Sequence, residues 1–126
     1  PLVDQKVDSP DNPRFKLGST DLDLTQDYAL LWNWSKLMRS PAHRHQAFII
    51  ECHATDQAGR RENLKLSQER ADTIKTYLIE KCGVDPERLT SIGKGDFELL
   101  PQLAVEDPSH NRVTLVIDNT AGARQL

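Results

Sequence analysis

Two side chains of opposite charge stand out because of where the surrounding pattern places them. Asp56 follows the apolar run "AFIIEC" (residues 47–52), and Arg70 lies in the polar, basic segment after it. A short apolar run bounded by polar segments is typical of a central strand, and helical periodicity follows. We therefore expect Asp56 at the exit of a strand and Arg70 a turn or two into the next helix.

The two charges have two chemical uses. They can pair with each other as a salt bridge, which is common and weak at a surface. They can also hold a ligand with both signs of charge, since Asp56 suits an ammonium group and the fork of Arg70 grips a carboxylate. The N–H groups at a helix N-terminus add positive potential for the anion. An amino-acid centre fits the second use.

The helix that carries Arg70 is predicted over Asn63–Cys82, because Lys81, Gly83 and Pro86 mark its end. At about 100° per residue, one stripe is apolar or small and suits packing on a sheet: Leu64, Ser67, Ala71, Ile74, Leu78 and Cys82. A second stripe runs along the flank: Asn63, Leu66, Arg70 and Tyr77. This geometry lets Asn63, Leu66 and Arg70 converge with Asp56.

The other elements follow from periodicity and turn signals. We predict a first strand in "RFKLGST" (residues 14–20), a first helix over Gln26–Arg39, and strands in residues 88–95 and 112–118. With the strand before Asp56, the order is β-α-β-α-β-β. This order predicts an α/β (α+β) sandwich with two helices packed on one face of a four-stranded mixed sheet.

The first helix has two faces that matter. Leu30, Trp34 and Leu37 fall on one side at helical spacing and are predicted to face the core. Tyr28 and Trp32 lie on the other side. Either an N-terminal arm covers these two aromatic residues, or they form a surface for self-association or for a partner.

Bulk properties exclude several classes of protein. The chain has 126 residues, enough for one domain with its own core, and its net charge of −3 argues against a nucleic-acid partner. No apolar run approaches the roughly 20 residues that span a bilayer. The chain begins with Pro1, so we interpret it as a piece whose anchor or targeting segment lies outside it.

The two cysteines predict neither a disulfide nor a metal site. Cys52 ends a strand and Cys82 ends the helix that runs back from it, so they are expected at opposite ends of the fold as free thiols. No further Cys or His pair has ligand spacing, and no cofactor is expected. A hydrolase with His43, His45, His53 and Asp56 is a third interpretation, but no Ser or Cys lies in a nucleophile context.

The stretch "TDQAGRRENLKLSQERA" (residues 55–71) resembles the signature of the OmpA-like peptidoglycan-binding domain, T-D-x-x-G followed by N-x-x-L-S-x-x-R-A. "FKLGSTDL" (15–22) resembles the family's first strand and turn, and "GKGD" (93–96) with Pro101 resembles its G-x-G-E…P loop. "NRVTLVI" (111–117) resembles its final strand. Residues 1–13 hold three prolines and several Asp and are interpreted as an arm or linker. The OmpA-like domain is assigned to residues 14–119 and a tail to residues 120–126.

The resemblance implies a non-catalytic domain that binds the peptide stem of peptidoglycan and tethers a larger envelope protein to the cell wall. Asp56 and Arg70 match the family residues that hold the diaminopimelate centre, and Asn63, Leu66 and Thr55 match the rest of the pocket. The expected location is the periplasm of a Gram-negative bacterium. A segment outside this chain would attach the protein to the outer or inner membrane.

This sequence departs from the family pattern just before Asp56. His53 and Ala54 stand where the family usually has Gly and His, so a side chain at residue 53 could modify the pocket. If the Gly position needs a positive φ, His53 suits it less well. Near the last strand, one Arg, Arg112, stands where two are usual, and we expect it to support the sheet edge or a loop. The alternative function is therefore a diverged domain that has lost the ligand and serves protein interaction or dimerisation.

Overall fold

The computed structural model describes residues 5–7, 13, 15–22 and 25–118 of the chain. Its helices and strands, in order, are β1 (Gln5–Val7), α1 (Thr25–Arg39), β2 (Ala47–His53), α2 (Arg60–Glu80), β3 (Leu89–Gly95) and β4 (Arg112–Asp118). Short 3₁₀ turns lie at Pro86–Arg88 and Pro108–His110. The predicted order β-α-β-α-β-β is confirmed.

The strands form one mixed sheet in the order β1-β4-β2-β3. β2 is parallel to β3 and antiparallel to β4, and the three-residue β1 pairs antiparallel with the outer side of β4. Because β2 and β3 are parallel neighbours, their carboxyl ends lie at the same edge of the sheet. The loops that follow these two strands, which contain Asp56 and Asp96, therefore begin side by side.

The core lies between the two helices and one face of this sheet. Alternate residues of β2 and β4 meet in register on that face, as Phe48 with Ile117, Ile50 with Leu115, and Cys52 with Val113. All six side chains are buried in one cluster with apolar residues of both helices. The predicted packing of both helices on one face is confirmed.

The orientation of α1 and one core residue of α2 were predicted wrongly. In α1 the buried apolar residues are Leu31, Trp34 and Met38. Trp34 was placed correctly and Leu37 packs against the core, but Leu31 takes the place predicted for Leu30, which is only partly buried. In α2 the predicted core residue Leu64 is 42% exposed. Its neighbours in space explain this, because the Leu64 backbone lies against Gly95 at the end of β3.

The first strand was also predicted in the wrong place. The pairing strand is β1, within the predicted N-terminal arm, whereas Phe15 forms only an isolated bridge with Leu22. The chain turns at Gly18, whose φ is +66°, and the Ser19 N–H donates to the Lys16 carbonyl at 3.0 Å. Residues 15–22, named here the 15–22 loop, therefore fold back on themselves instead of extending into the sheet.

Helix α2 is fixed against β3 by two side chains that bind the strand's backbone. The Gln68 side-chain amide accepts from the Gly93 N–H at 2.8 Å and donates to the Ser91 carbonyl at 3.2 Å, as a neighbouring strand would. Ser67 Oγ accepts from the Gly95 N–H at 2.9 Å. A Cβ at Gly93 would lie 2.3 Å from the backbone nitrogen of Gln68, so the close approach of helix and strand requires glycine. This contact fixes α2, and with it Arg70, relative to the sheet.

The ends of α2 and the cysteines agree with expectation in most respects. The helix begins at Arg60, three residues before the predicted start, and ends near the predicted Gly83, whose φ is +72°. The Val84 N–H closes the terminus by donating to the Leu78 carbonyl at 3.0 Å. Cys52 and Cys82 are both buried free thiols, as predicted.

Candidate functional site

Asp56 and Arg70 meet where the loop after β2 passes the flank of α2. Arg70 Nη2 lies 2.9 Å from Asp56 Oδ2, and Nη1 lies 3.4 Å from Oδ1, so the two groups face each other fork to fork. Each side chain is only 4% exposed. The predicted convergence of these two residues is confirmed. They form the salt bridge of the first alternative, although it is buried and not a surface pair.

The 15–22 loop closes over this pair through its backbone. The Gly18 N–H donates to Asp56 Oδ2 at 2.6 Å. Arg70 donates from Nε to the Ser19 carbonyl at 2.8 Å and from Nη2 to the Lys16 carbonyl at 3.3 Å. The Phe15 ring lies against the guanidinium, with its centroid 5.3 Å from Cζ. These contacts give partners to two charges that would be costly to bury alone.

The environment keeps Asp56 ionised. Burial by itself would raise the pKa of its carboxyl, but the hydrogen bonds from Gly18 and Arg70 outweigh burial and hold that pKa below its usual value. The pair is therefore a carboxylate facing a guanidinium at neutral pH, which is the state that could recognise an ammonium and a carboxylate.

A cavity of about 190 Å³ adjoins the pair. Asp56 and Arg70 line it together with three further polar residues, namely His53, Asn111 and Arg112. The apolar part of the wall includes Pro13, Phe15, Leu17, Pro108 and Val113. The cavity thus combines charged groups for orientation with an apolar wall, as small-molecule sites do.

Three of the predicted ligand contacts do not line this cavity. Asn63 braces a loop, because its Oδ1 accepts from the Gln57 N–H at 2.8 Å. Thr55 holds Asn111 through two hydrogen bonds, of 2.8 Å from its N–H and 3.0 Å to its Oγ1. Leu66 is 8% exposed on the flank of α2. Contact of these three residues with a ligand stays a prediction.

The two unusual residues before Asp56 are both buried. His53 ends β2, is 3% exposed and lines the cavity, whereas Ala54 is fully buried. Among the described residues only glycines have a positive φ, so His53 lies in ordinary strand conformation. Its position in the wall agrees with the expectation that residue 53 modifies the pocket, and its effect on a ligand stays a prediction.

Phe15 and Leu17 of the 15–22 loop line the cavity, and so does Arg112. None of the three was predicted as part of the cavity wall. Arg112 does support a loop, as expected, because it donates to the carbonyls of His110 at 3.2 Å and Glu98 at 2.9 Å. It also lines the cavity. The signal for the loop was the apolar pair Phe15 and Leu17 just before the turn glycine Gly18, but nothing local shows that the loop folds onto a helix some 50 residues later.

The residues proposed for a hydrolase lie in two separate places. His43 and His45 are in the turn after α1, where His43 Nδ1 contacts Gln46 Oε1, whereas His53 and Asp56 line the cavity. Within the described part of the chain, no three His, Cys, Asp or Glu side chains are grouped to hold a metal ion. Burial raises the pKa of the Cys52 thiol, which disfavours the reactive thiolate.

The model of the OmpA family matches residues 14–112, which is most of the chain and contains Asp56, Arg70 and the 15–22 loop. The chain belongs to the OmpA family. As an OmpA-family domain it combines the four-stranded mixed sheet and two helices described above with a buried Asp–Arg pair at the carboxyl end of β2.

Individual relatives agree with this assignment. The peptidoglycan-associated lipoprotein of Buchnera aphidicola is 32% identical over 76 residues, which cover 60% of this chain and 43% of that protein. The outer membrane protein A of Bordetella avium is 46% identical over 48 residues, which cover 37% of this chain and 24% of that protein. The chain therefore spans less than half the length of both relatives.

Solved structures show the same fold. The OmpA-like domain of FopA1 from Francisella tularensis superposes with a TM-score of 0.72 at 19% identity, covering 90% of this chain and 78% of that one. The cell wall anchor of the T6SS from Pseudomonas aeruginosa superposes with a TM-score of 0.65 at 23% identity, covering 83% and 74%. In the described part of this OmpA-family chain, neither helix is long and apolar enough to cross a membrane.

Proposed function

We propose that this chain binds the peptide stem of peptidoglycan non-covalently, through its diaminopimelate centre, and so tethers a larger envelope protein to the cell wall. The observation that carries the proposal is the buried, ionised Asp56–Arg70 pair, which lines a cavity on an OmpA-family fold. Relatives named for peptidoglycan association and for cell-wall anchoring support the same role. The role is binding without catalysis.

The chemistry of the ligand fits the chemistry of the pair. The diaminopimelate side-chain centre carries an ammonium and a carboxylate on one carbon, which suit Asp56 and Arg70 respectively. The cavity volume of about 190 Å³ is below the roughly 300–1,000 Å³ of pockets for drug-sized ligands. It therefore suits one amino-acid side chain better than a whole muropeptide, whose remainder would lie on the surface.

Further residues complete the proposed site. Asn63, Leu66 and Thr55 shape the loop and helix around Asp56, and we propose them as secondary contacts for the peptide stem. His53 in the cavity wall, with Ala54 behind it, would tune which stem is accepted. The proposed location is the periplasm of a Gram-negative bacterium, with membrane attachment through a segment outside this chain.

A calorimetric titration with a diaminopimelate-containing muropeptide tests the proposal, with the same peptide carrying lysine at that position as control. Lysine keeps the ammonium but lacks the side-chain carboxylate, so Arg70 would lose its partner. We expect binding of the first peptide only. If neither peptide binds, the diaminopimelate proposal is wrong.

Variants assign the binding to the pair. We expect Asp56→Asn and Arg70→Lys each to weaken binding by about thirtyfold or more. Asp56→Asn removes the charge that faces the ligand ammonium, and Arg70→Lys keeps the positive charge but loses the planar fork that grips a carboxylate with two hydrogen bonds. Asp96→Asn and Arg60→Lys are matched controls, since Arg60 of α2 and Asp96 after β3 form a second Arg–Asp pair. Equal affinity of the Asp56, Arg70 and control variants would place the binding site elsewhere.

A second candidate function is self-association through the exposed aromatic face of α1. Tyr28 and Trp32 are 39% and 40% exposed. They pack against α2, where Trp32 Nε1 donates to the Tyr77 hydroxyl at 2.9 Å and the rings of Tyr28 and Tyr77 lie 5.1 Å apart. Sedimentation over a range of concentrations, with Trp32→Ala as the variant, tests this role. A monomer at every concentration would exclude it.

A further inference from the structure

The 15–22 loop already binds Asp56 and Arg70 in the way that a zwitterionic ligand would. The Lys16 and Ser19 carbonyls accept from the Arg70 guanidinium, as a ligand carboxylate would. The Gly18 N–H donates to Asp56 Oδ2 at 2.6 Å, as a ligand ammonium would. The loop therefore presents two acceptors and one donor with the same complementarity as an amino-acid centre.

These contacts leave little of the pair available to anything else. A guanidinium has five N–H donors, and Arg70 makes four hydrogen bonds, to Lys16, Ser19 and both oxygens of Asp56. Only 4% of either side chain is exposed. A ligand that is to replace the loop at both charges must first displace its backbone.

The tip of the loop can move while its two ends stay in place, because Leu22 belongs to the core cluster and Phe15 packs against that cluster. The two ends of the loop meet in the Phe15–Leu22 bridge, and inside it the Lys16 N–H donates to the Asp21 carbonyl at 2.9 Å. Leu17, at the edge of the cavity wall, is 84% exposed. Most of the loop's internal hydrogen bonds would therefore survive a displacement that breaks the bonds to Asp56 and Arg70.

We propose that the 15–22 loop is an internal competitor of the ligand, which holds Asp56 and Arg70 in the free protein and opens when the diaminopimelate centre binds. This inference rests on the proposed function and adds a regulatory step to the same site. The apparent affinity is then the intrinsic affinity reduced by the fraction of molecules whose loop is open. Any change that loosens the closed loop without touching the cavity will tighten binding.

Gly18→Ala is such a change. Gly18 has a φ of +66°, which an L side chain adopts at a cost. A Cβ there meets nothing nearer than Gln57 Nε2 at 3.6 Å, and Gly18 does not line the cavity. The substitution therefore strains the closed backbone alone. We expect Gly18→Ala to bind the diaminopimelate muropeptide at least about fivefold more tightly than the wild type does.

Gly83→Ala is the matched control. Gly83 has a φ of +72° at the end of α2, and a Cβ there meets nothing within 4 Å, so the same backbone strain is placed far from the site. We expect its affinity for the muropeptide to equal that of the wild type. A gain in both variants would mean that general loosening, and not the loop, controls binding.

Amide hydrogen exchange of wild-type Gly18 gives a second, independent readout. The proposal expects slow exchange in the free protein and faster exchange when the muropeptide is saturating, because the bond to Asp56 is broken. Slower exchange on binding, or weaker or unchanged binding by Gly18→Ala, would overturn it and make the loop a fixed part of the site. In those cases the wild type still binds, so the proposed function stands; binding by neither protein would refute both.

Discussion

Two arginine–aspartate pairs join α2 to the loops after neighbouring parallel strands, and they differ in almost everything except their chemistry. Arg70 pairs with Asp56 after β2, and Arg60 pairs with Asp96 after β3, at 2.9 and 3.0 Å respectively. Each arginine also lies against a phenylalanine ring, at 5.3 Å for Phe15 and 4.5 Å for Phe97. The arginines are ten positions apart, about 15 Å along the helix.

The difference lies in what surrounds each pair. The side chains of Arg70 and Asp56 are both 4% exposed, whereas those of Arg60 and Asp96 are 65% and 23% exposed. Arg70 also binds two backbone carbonyls of the 15–22 loop. The same two residue types therefore form a buried pair at one place, where the 15–22 loop folds over them, and a more exposed pair at the other.

Removal of the buried carboxylate should have the largest effect on stability. In Asp56→Ala the Arg70 guanidinium stays buried without its counter-ion, and the Gly18 N–H loses its acceptor. We expect the free energy of unfolding to fall by about 3–5 kcal/mol, the cost of breaking a buried ion pair from one side. Urea denaturation measures this change, and a loss below about 1 kcal/mol would contradict the importance of burial.

Low pH should weaken the buried pair in the wild type. Asp56→Asn should lack this effect, because its side chain does not titrate. The pKa of Asp56 is lower in the folded protein than in the unfolded chain, so its contribution is present above the unfolded pKa of about 3.9 and is lost as the pH falls through the folded pKa. We expect the stability difference between wild type and Asp56→Asn to shrink below about pH 4. Thermal unfolding from pH 2 to 7 measures it, and a constant difference would be evidence against the ionised pair.

The exposed pair should contribute much less. Asp96→Ala leaves Arg60 in solvent, where water replaces the carboxylate, so we expect a loss of about 0.2–1 kcal/mol. The measurement is again urea denaturation, beside Asp56→Ala. If Asp96→Ala costs as much as Asp56→Ala, exposure does not explain the difference between the two sites.

The smallest expected difference between the two pairs is in how their coupling energies depend on salt. A double-mutant cycle on Arg60 and Asp96 gives their coupling energy, which we expect to fall between about 0.05 M and 1 M NaCl as the Debye length shortens. A cycle with Asp56→Asn and Arg70→Gln should give a larger coupling that changes less with salt, since each side chain is only 4% exposed. Equal salt dependence of both couplings would contradict this.

The sequence predicted the parts of the structure that depend on local patterns. The strand Ala47–His53, the end of α2 near Gly83 and the order of the elements follow from apolar runs, periodicity and turn residues, which act over short distances. The convergence of Asp56 and Arg70 followed from helix geometry and from the family signature. Local patterns and the family signature together therefore predicted that Asp56 and Arg70 lie close to each other.

Choices between locally equivalent residues could not be predicted. Leu30 and Leu31 are equally apolar and adjacent, and only the packing of α1 on the sheet decides that Leu31 is buried. Similarly, helical periodicity predicts Leu64 as a core residue. Its backbone instead lies against Gly95 of β3, and the residue is 42% exposed. In α1 the helix period was correct and its rotation was wrong by about one residue, which is 100°. In α2 both were correct for the rest of the predicted stripe, and only Leu64 departs from it.

The sequence by itself determined the family, the element order and the two charged residues of the site. Only the tertiary structure decided that this pair is buried and that Arg60–Asp96 is not. The physical reason is that burial depends on the 15–22 loop, whose backbone carbonyls and N–H reach Arg70 and Asp56 across 38 to 54 residues of chain. Backbone groups are the same in every residue, so no side-chain pattern records where they will bind.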